Sequence, residues 1–365
     1  MKARREISWL SENLNQQMQI SKAEVIPVEI PTKQPIEIGL QHSIREISVI
    51  FIRLETRRGQ SAWGCTLINP EEDHQKFPEV LHACQECATK IVDLHPLNLA
   101  YTLAELTPLC QSAPAALCAF DLALHDLLGI ASGLPLYRLL GGYRNTIETS
   151  ITIPRGSIDE TIQLALEYSK QGFHIFKVKG GLDPELDVER IRSLHRALPY
   201  ATIRLDADGG YSIERAINVA QALRGILEFL EQPTPPKYLD DLHQVTKLSP
   251  VPILADQSAC GIDSALEIAA KHSAHGLSIK IATCGGIRNA IEVDTIARAA
   301  HLSTMVSCSI EPALLIAAGL SLALASPSVR YGDLDGFLFL KNDPTQASFV
   351  FQDGCMTATE VPGLG

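Results

Sequence analysis

Hydrophobic and polar residues alternate along residues 23–67, in segments such as AEVIPVEI, ISVIFIRLET and SAWGCTLI. A period of two residues is typical of strands that bury one face, so these segments predict a small antiparallel sheet. Apolar residues then recur at helical spacing in EVLHACQECATKIVDL, NLAYTLAEL and PAALCAFDLALHDLLGIASG. The pattern predicts an α+β domain over residues 23–140, with residues 1–22 as an N-terminal extension.

From about residue 147 short apolar runs alternate with amphipathic segments. Helix start signals of the form S-x-x-E begin at Ser157 and Ser264, and Gly172 stands where a helix should end. Eight units of strand plus helix favour an α/β fold of the (β/α)8 or TIM barrel type over an open doubly wound sheet. We predict this barrel over residues 141–336 and expect residues 337–365 to complete the N-terminal domain as a cap. The eight runs are ETSITI, FHIFKVK, TIRLD, LEFLE, PILA, LSIKI, TMVSC and SVRYGD.

The composition narrows the class of protein. With 365 residues, 46% hydrophobic and 20% charged, the chain has the composition of a globular enzyme. A net charge of -11 and a pI near 5.5 disfavour nucleic acid and acidic membrane surfaces as partners. No signal-peptide pattern and no run of 18 apolar residues is present, which indicates a cytoplasmic protein.

The nine cysteines are scattered, and an odd number in a long chain fits reduced, buried thiols. Cys84 and Cys87 form the single C-x-x-C pair. Without a second pair it is a weak signal for zinc or redox chemistry, and helical spacing explains it equally well. We therefore interpret the pair as structural.

Three carboxylates follow apolar runs at an even spacing. Asp206 ends TIRLD, Glu231 ends LEFLE and Asp256 follows PILA, at intervals of 25 and 25 residues. The carboxyl ends of barrel strands meet at one rim, so these acids should converge. Carboxylates that close repel unless a cation neutralises them, and oxygen ligands suit Mg²⁺ or Mn²⁺. A single acid at the end of a strand is more often a helix cap than a metal ligand. The prediction of a metal site therefore depends on the shared spacing and order of all three acids.

Lysines flank these acids. Lys177 and Lys179 end the second predicted barrel strand, and Lys280 ends the sixth, 24 residues after Asp256. Strand alternation turns both Lys177 and Lys179 to the barrel side. Neighbouring ammonium groups should depress each other's pKa, which would suit a general base near neutral pH. The sequence predicts two bases that face each other over a metal ion.

Motifs along residues 23–365 resemble the enolase superfamily in its muconate-lactonizing-enzyme subgroup. The resemblance is strongest to dipeptide epimerases typified by L-Ala-D/L-Glu epimerase. The motifs that carry it occur in the family's order, and they are FDLALHDLLGIASGLPLYRLLGGYRNTIET, FKVKGG, RLDADGGYS, LEQP, ILADQS, SIKIATCGGI, MVSCSIE, GDLDGF and PGLG.

The resemblance implies that Asp206, Glu231 and Asp256 bind one Mg²⁺ per subunit, with Mn²⁺ as an alternative. It implies that Lys179 and Lys280 are the acid/base catalysts and that Lys177 supports Lys179 electrostatically. In this chemistry one lysine removes the proton α to a carboxylate, the metal stabilises the enediolate, and the opposite lysine returns a proton. The resemblance thus implies epimerisation by 1,1-proton transfer.

Two acids of GDLDGF connect the resemblance to dipeptides. Asp333 and Asp335 match the D-x-D with which family members bind the α-ammonium group of a dipeptide, and paired carboxylates complement a cation. A turn or a second cation is the alternative interpretation of this pair. Four further residues are expected to line the pocket, with packing as the rival explanation. These are Ser150, Thr152, Cys308 and Glu311.

The chain departs from the family pattern at three places. The usual Asp-x-Asn-x-Gly block has Asp208 as its third residue, and Gln257 replaces the common glutamate. In PIEIGLQHSIRE, Gln41 lies nearest to the position where glutamate-specific members present arginine, and Arg45 is close by. The second residue of the dipeptide is therefore either glutamate or a small or hydrophobic residue.

Other activities on the same fold stay open. The alternatives are an N-acylamino-acid racemase, a muconate cycloisomerase and an o-succinylbenzoate synthase, and a non-catalytic scaffold is the alternative outside enzymes. The expected partner is a small-molecule dipeptide, with neither nucleic acid nor membrane, and the sequence leaves homo-oligomerisation open. Intact metal-binding and lysine positions argue against a scaffold, because buried charges are costly to retain without use.

Overall fold

A computed structural model describes residues 16–38, 42–68, 76–346 and 348–365. The alternating N-terminal segments form an antiparallel sheet in the order β1-β2-β3, as predicted. Its inward residues, including Ile47, Val49 and Phe51, are buried, because every second side chain of a strand faces the core. The strands are β1 (Ile20–Ile38), β2 (His42–Thr56) and β3 (Ser61–Ile68).

Four helices follow this sheet. They are α1 (Lys76–Lys90), α2 (Leu99–Leu106), α3 (Pro114–Ser132) and α4 (Leu136–Leu140). Within the described residues, α3 is the one helix whose length and apolar composition would suffice to cross a membrane. Since 67% of its apolar window is buried inside the protein, its composition is explained by packing in the core. It ends at Gly133, whose φ of 70° is the left-handed conformation that favours glycine.

The eight predicted strands form one parallel sheet in sequential order, which confirms the barrel. Contacts from Thr149 and Ser150 to Gly332 bring its first and last strands together. The first predicted run, ETSITI, is divided between two sheets: Thr146–Glu148 forms β4 outside the barrel, and Ile151–Ile153 forms β5 within it. The other barrel strands are β6 (Ile175–Lys179), β7 (Thr202–Asp206), β8 (Leu227–Glu231), β9 (Ile253–Ala255), β10 (Gly276–Lys280), β11 (Ser303–Ser307) and β12 (Val329–Asp333).

Helices surround the barrel, and two of the three predicted helix signals hold. Ser157 and Glu160 form the predicted capping box, and Gly172 follows the helix with a φ of 92°. The box at Ser264 is wrong, since that helix begins two residues earlier and the Ser264 hydroxyl accepts the Gly261 N–H instead. The helices are α5 (Ile158–Lys170), α6 (Pro184–Ala197), α7 (Ile213–Ala222), α8 (Leu239–Leu248), α9 (Ile262–Lys271), α10 (Ile281–Cys284), α11 (Ile287–Ala299) and α12 (Ala313–Ala325).

The C-terminal segment runs back across the molecule. Strand β13 (Phe349–Gln352) pairs with β14 (Cys355–Ala358), and β14 pairs with β4, which gives a second antiparallel sheet. The carboxylate of Asp126, on α3, accepts N–H bonds from Trp63 and Leu364 at 2.9 and 2.8 Å. These contacts join the chain's last residues to the N-terminal sheet and its helices.

Candidate active site

The three even-spaced acids come together at one end of the barrel. Asp206 and Glu231 are the last residues of β7 and β8, and Asp256 directly follows β9. Neighbouring parallel strands end at the same rim, so their terminal side chains converge. One carboxylate oxygen from each acid lies within 4.8 Å of the other two, and all three residues are buried. The arrangement is an all-oxygen group that fits a small divalent cation.

Glu231 carries the clearest sign of an absent partner. Its side chain is fully buried, and neither Oε1 nor Oε2 has a hydrogen bond. Burial, followed by repulsion from Asp206, raises the pKa of Glu231 well above its usual value. Buried carboxyl groups are normally hydrogen-bonded, and a cation would satisfy both oxygens while lowering this repulsion.

Two lysines of β6 lie on one side of the acid group. Lys177 Nζ is 3.4 Å from Asp206 Oδ2 and 3.6 Å from Glu231 Oε2, and it donates to Asp333. Lys179 Nζ donates to Asp206 Oδ2 at 2.9 Å. Both side chains face the barrel interior, as strand alternation predicts. Both lysines border the cavity, and Lys177, the more buried of the two, balances carboxylate charge.

Lys280, the last residue of β10, approaches from the other side. Its Nζ donates to Asp256 Oδ2 at 2.7 Å, and its side chain borders the cavity. Strands β7, β8 and β9 separate β6 from β10 in the sheet, so the acids stand between the two sets of lysines. The rim thus presents ammonium groups to a small molecule from two sides.

The lysine pKa values differ from the expected depression. Burial opposes the charge on Lys177, but Asp333, Glu231 and Asp206 outweigh it and hold the Lys177 pKa well above its usual value. Burial likewise opposes the charge on Lys280, and Asp256 chiefly reverses this and raises its pKa. Spacing along a strand could not reveal these carboxylates, which come from other strands of the barrel. A cation on the acids would take up the charge that now stabilises these ammonium groups.

The two acids of D-x-D have different surroundings. Asp333, the last residue of β12, accepts from Lys177 and from Ser150 Oγ, the latter at 2.6 Å. Asp335 accepts the Thr152 N–H at 2.6 Å and borders the cavity together with Thr152. Burial, followed by repulsion from Asp333, raises the pKa of Asp335 to about 6. Of the pair, Asp335 faces the cavity, and Asp333 lies beneath it against Lys177.

The remaining predicted pocket residues fall in different places. Cys308 borders the cavity, and its buried thiol lies 3.8 Å from Asp335 Oδ1. Glu311 borders a neighbouring cleft, where burial raises its pKa to about 8. Ser150 lies below the cavity with Asp333. The prediction for Gln41 falls outside the described residues.

Two positioning residues were missed at the level of sequence. The buried amide of Gln232 accepts the N–H of Asp256 at 2.9 Å, which holds that acid in place. Arg190, buried on α6, donates to the carbonyl oxygens of Lys179 and Pro154 at 2.6 and 2.8 Å and ties the ends of β6 and β5 together. The glutamine beside Glu231 in LEQP was a signal for the first, but a helical arginine gave none for the second.

The cavity above the acids is apolar on the side of the N-terminal sheet. Among the described residues that line it, the charged groups are Lys177, Lys179, Lys280, Asp208 and Asp335. An adjacent cleft of about 440 Å³ lies between the N-terminal domain and the barrel and shares Leu67, Lys280 and Ser309 with the cavity. The apolar side chains of the cavity are Ile36, Ile44, Ile47, Leu67, Ile310 and Phe339.

Two family profiles match the chain. The profile described as "Mandelate racemase / muconate lactonizing enzyme, N-terminal domain" matches residues 21–141. The profile described as "Enolase C-terminal domain-like" matches residues 160–365, which is more than half of the chain.

Curated relatives and solved structures agree with these profiles. An L-Lys-D/L-Arg epimerase of Methylococcus capsulatus is 34% identical and a hydrophobic dipeptide epimerase of Enterococcus faecalis is 30% identical, each over 95% of this chain and 99% of the relative. The crystal structure of the dipeptide epimerase from Enterococcus faecalis V583, complexed with Mg and L-Leu-L-Tyr, superposes with a TM-score of 0.92 at 29% identity. That match covers 95% of this chain and 99% of the other.

Proposed function

Since the chain belongs to the mandelate racemase/muconate lactonizing enzyme family of the enolase superfamily, we propose that it is a Mg²⁺-dependent dipeptide epimerase. The proposed reaction inverts the α-carbon of the second residue. The observation that carries the proposal is the pair Lys179 and Lys280, whose ammonium groups border one cavity from opposite sides of three converging acids. Two bases on opposite faces are what inversion by proton removal and return requires.

The metal belongs at Asp206, Glu231 and Asp256. All three offer oxygen, the donor that Mg²⁺ prefers, and the two unpartnered oxygens of Glu231 fit a cation. When bound, Mg²⁺ would stabilise the negative charge that develops on the substrate carboxylate as the α-proton leaves. Mn²⁺ satisfies the same donors.

The lysines divide the proton transfer between them. One of Lys179 and Lys280 accepts the α-proton on its side, and the other donates a proton from the opposite side, so the configuration inverts. Lys177, almost wholly buried among Asp333, Glu231 and Asp206, acts as a fixed positive charge beside Lys179. Preorganised charge of this kind lowers the barrier without reorganisation during the reaction.

A dipeptide fits the far side of the cavity better than an N-acylated amino acid does. Asp335 borders the cavity with a carboxyl group whose pKa, raised by burial to about 6, still leaves it mainly ionised at neutral pH. This carboxylate complements an α-ammonium group, with Asp333 and Ser150 beneath it. An acylated nitrogen carries no charge and would leave Asp335 without a partner.

We further propose that the second residue of the dipeptide is apolar. Six apolar side chains line the cavity, and the adjacent cleft, of about 440 Å³, adds Val80, Ala113 and Pro114. The carboxyl group in that cleft, Glu311, is largely neutral at pH 7 because burial raises its pKa to about 8. A lysine or arginine side chain would lose hydration there without gaining an opposite charge. A glutamate side chain would meet Lys280, whose ammonium group already donates to Asp256.

Two broader assignments accompany this function. A cytoplasmic location is supported by nine cysteines that are all free thiols. The proposed division is an extension (1–22), a capping domain (23–140), a barrel (141–336) and a C-terminal segment (337–365) that completes the cap. The two antiparallel sheets, which are separate from the barrel sheet, support this division.

The test is deuterium exchange. Purified protein and Mg²⁺ are incubated in D₂O with L,L-dipeptides whose second residue is Leu, Phe, Val, Ala, Glu, Lys or Arg, and with N-acetylated forms of each. Mass spectrometry measures deuterium uptake, and chiral chromatography measures the epimer formed. We expect one deuterium at the second α-carbon, loss of uptake with EDTA, and the highest rates for apolar residues.

Each other outcome has a defined meaning. Preference for Glu, Lys or Arg would overturn the apolar side chain but leave the epimerase. Faster exchange of the N-acetylated compounds would favour an acylamino-acid racemase and remove the role of Asp335. Absence of exchange with every compound would sink the proposed function.

A further inference from the structure

Asp208 lies in the loop after β7, two residues beyond Asp206, and borders the cavity. It is outside the group of three converging acids, so its contacts do not compete with a cation there. Its backbone has a φ of 46°, and its N–H donates to Asp206 Oδ1 at 3.2 Å. Left-handed backbone at a non-glycine residue is uncommon and persists where surrounding contacts define it.

The loop that carries Asp208 is held tightly. The Gly209 N–H donates to the Gln232 carbonyl at 2.7 Å. Gly210 packs so closely on Gly181 that an added Cβ would stand 2.1 Å from the Gly181 carbonyl oxygen. Gly181 belongs to the loop that follows Lys179, so the two loops have a fixed relation. The Asp208 carboxylate therefore has a defined place next to Lys179.

A single oxygen of Asp208 connects both sides of the cavity. Oδ1 accepts from Lys179 Nζ at 2.9 Å and from Gln257 Nε2 at 3.2 Å. Gln257 directly follows Asp256, the acid that contacts Lys280. The amide thus ties the loop after β9 to the carboxylate that holds Lys179, and all three side chains border the cavity.

We propose that Asp208 and Gln257 form a positioning pair that aims the Lys179 ammonium group at the reacting carbon; this inference rests on the proposed function. Acceptors on Asp206 and Asp208, each 2.9 Å from Nζ, fix its direction. Gln257 in turn fixes Asp208. A misplacement of about 1 Å at a reacting group can cost about 100-fold in rate, so the pair acts on Lys179 rather than on substrate binding.

The hydrogen bond between Asp208 and Gln257 requires a carboxylate that accepts and an amide that donates. Asp208→Asn removes the charge next to Lys179, whereas Gln257→Glu sets a second carboxylate against Asp208. Exchanging both, as in Asp208→Asn with Gln257→Glu, restores one acceptor and one donor across the same contact. The double variant therefore distinguishes a specific pair from general damage.

The experiment compares these three variants with the wild type. Deuterium exchange at the second α-carbon is measured separately from the L,L and the L,D dipeptide, together with Mg²⁺ affinity and thermal stability. Lys179→Ala identifies the epimer whose proton faces Lys179, because exchange from that epimer disappears. Asp240→Asn and Gln221→Glu, at exposed positions, are the matched surface controls.

We expect Asp208→Asn to slow exchange from the epimer that faces Lys179 by about 10-fold or more and to change exchange from the other epimer by less than about 3-fold. Gln257→Glu should slow the same epimer further, because it adds like-charge repulsion. The double variant should return to within about 10-fold of the wild type. Mg²⁺ affinity should fall by less than the exchange rate does, because the three acids are unchanged and the Asp208 group that binds Asp206 is a backbone N–H.

The positioning role would be overturned if Asp208→Asn slowed exchange from both epimers equally. It would also be overturned if the double variant exchanged no faster than Gln257→Glu. A second measurement keeps the proposal testable if the wild type exchanges no dipeptide, an outcome that defeats the proposed function alone. In crystal structures, Lys179 Nζ should move by about 1 Å or more in Asp208→Asn and return in the double variant. An unmoved Nζ would refute the positioning role.

Discussion

Two buried carboxylates at opposite ends of the barrel illustrate two uses of the same group. Asp294, on α11, lies near the amino ends of β11 and β12 and accepts hydroxyl bonds from Thr304, Ser326 and Ser328 at 2.6–3.1 Å. Glu231, at the carboxyl end of β8, has no hydrogen bond on either oxygen. Both side chains are almost wholly buried. The degree of burial is therefore nearly the same for an acid whose oxygens are hydrogen-bonded within the protein and for an acid whose oxygens have no hydrogen bond.

The difference lies in how each charge is compensated. Hydroxyl groups around Asp294 satisfy its oxygens within the protein, so the fold itself stabilises that carboxylate. The acids at the rim have only lysines to balance them, and Glu231 also suffers repulsion from Asp206 and Asp256. Sites that bind a ligand commonly keep such uncompensated groups at a cost in stability. If the proposed function holds, the barrel has a stabilising acid at one end and its reactive groups at the other.

The largest expected effect is a loss of epimerisation when a lysine at the acid end of the barrel is removed. Lys280→Ala should lower epimerisation by about 1,000-fold or more, because it removes the proposed acid/base group on one face. Exchange from the epimer that faces Lys179 should persist. Chiral chromatography and mass spectrometry check both, with Lys271→Ala, an exposed lysine of α9, as the control. Full epimerisation by Lys280→Ala would disprove the two-base scheme.

The next effect concerns stability at the other end. Asp294→Ala should lower the free energy of unfolding by about 3 kcal/mol, because two buried hydroxyl groups, those of Thr304 and Ser326, and the half-buried Ser328 hydroxyl lose their acceptor. The kcat of the folded protein should change by less than about 3-fold, since the site lies at the opposite rim. Urea unfolding and steady-state kinetics measure the two quantities. A large loss of kcat with unchanged stability would reverse the assignment of the two ends.

The third prediction has the opposite sign for stability. Glu231→Gln should raise the free energy of unfolding of the metal-free protein by about 1 kcal/mol, because it removes a buried charge that Asp206 and Asp256 repel. The same change should weaken Mg²⁺ binding by about 10-fold or more, since it replaces a charged carboxylate ligand by a neutral amide. Urea unfolding in EDTA and calorimetric titration test the two parts. A less stable variant would indicate that Glu231 is compensated after all.

The smallest effect lies in the N-terminal domain, at His125 on α3. Burial opposes its charge, but the Asp121 carboxylate, 3.3 Å away, outweighs burial and raises the His125 pKa above 6.5. A raised folded-state pKa stabilises the protein fully below the unfolded value of 6.5, and this stabilisation disappears as pH rises through the folded value. His125→Gln should therefore destabilise most at pH 5.5 and progressively less at pH 7 and 8.5. Urea unfolding at the three pH values measures the trend, and a cost that grows with pH would contradict it.

The sequence predicted what depends on local pattern and strand order. Eight apolar runs at regular spacing were sufficient for the barrel, and the strand-end positions of Asp206, Glu231 and Asp256 were sufficient to predict their convergence. The division of ETSITI between two sheets was missed, because β4 pairs with β14, more than 200 residues further along the chain.

The sequence could not predict which charged side chains pair with one another in the site. The raised pKa of Lys177 depends on carboxylates from three other strands, which outweigh the expected repulsion between lysines. Asp333 turned toward Lys177 and Ser150, although its spacing from Asp335 suggested a pair that acts together. Such choices follow from distances between elements far apart in the chain, which a periodic pattern does not contain.

The docking of the last residues on Asp126 has a consequence for the order of biosynthesis. Asp126 is synthesised long before Leu364, yet its carboxylate is completed by the Leu364 N–H, and β4 is completed by β14. A chain that folds during synthesis has Asp126 and β4 available before residues 355–364 can dock on them. This docking closes a loop of more than 200 residues, and contacts of such high sequence separation are slow to form.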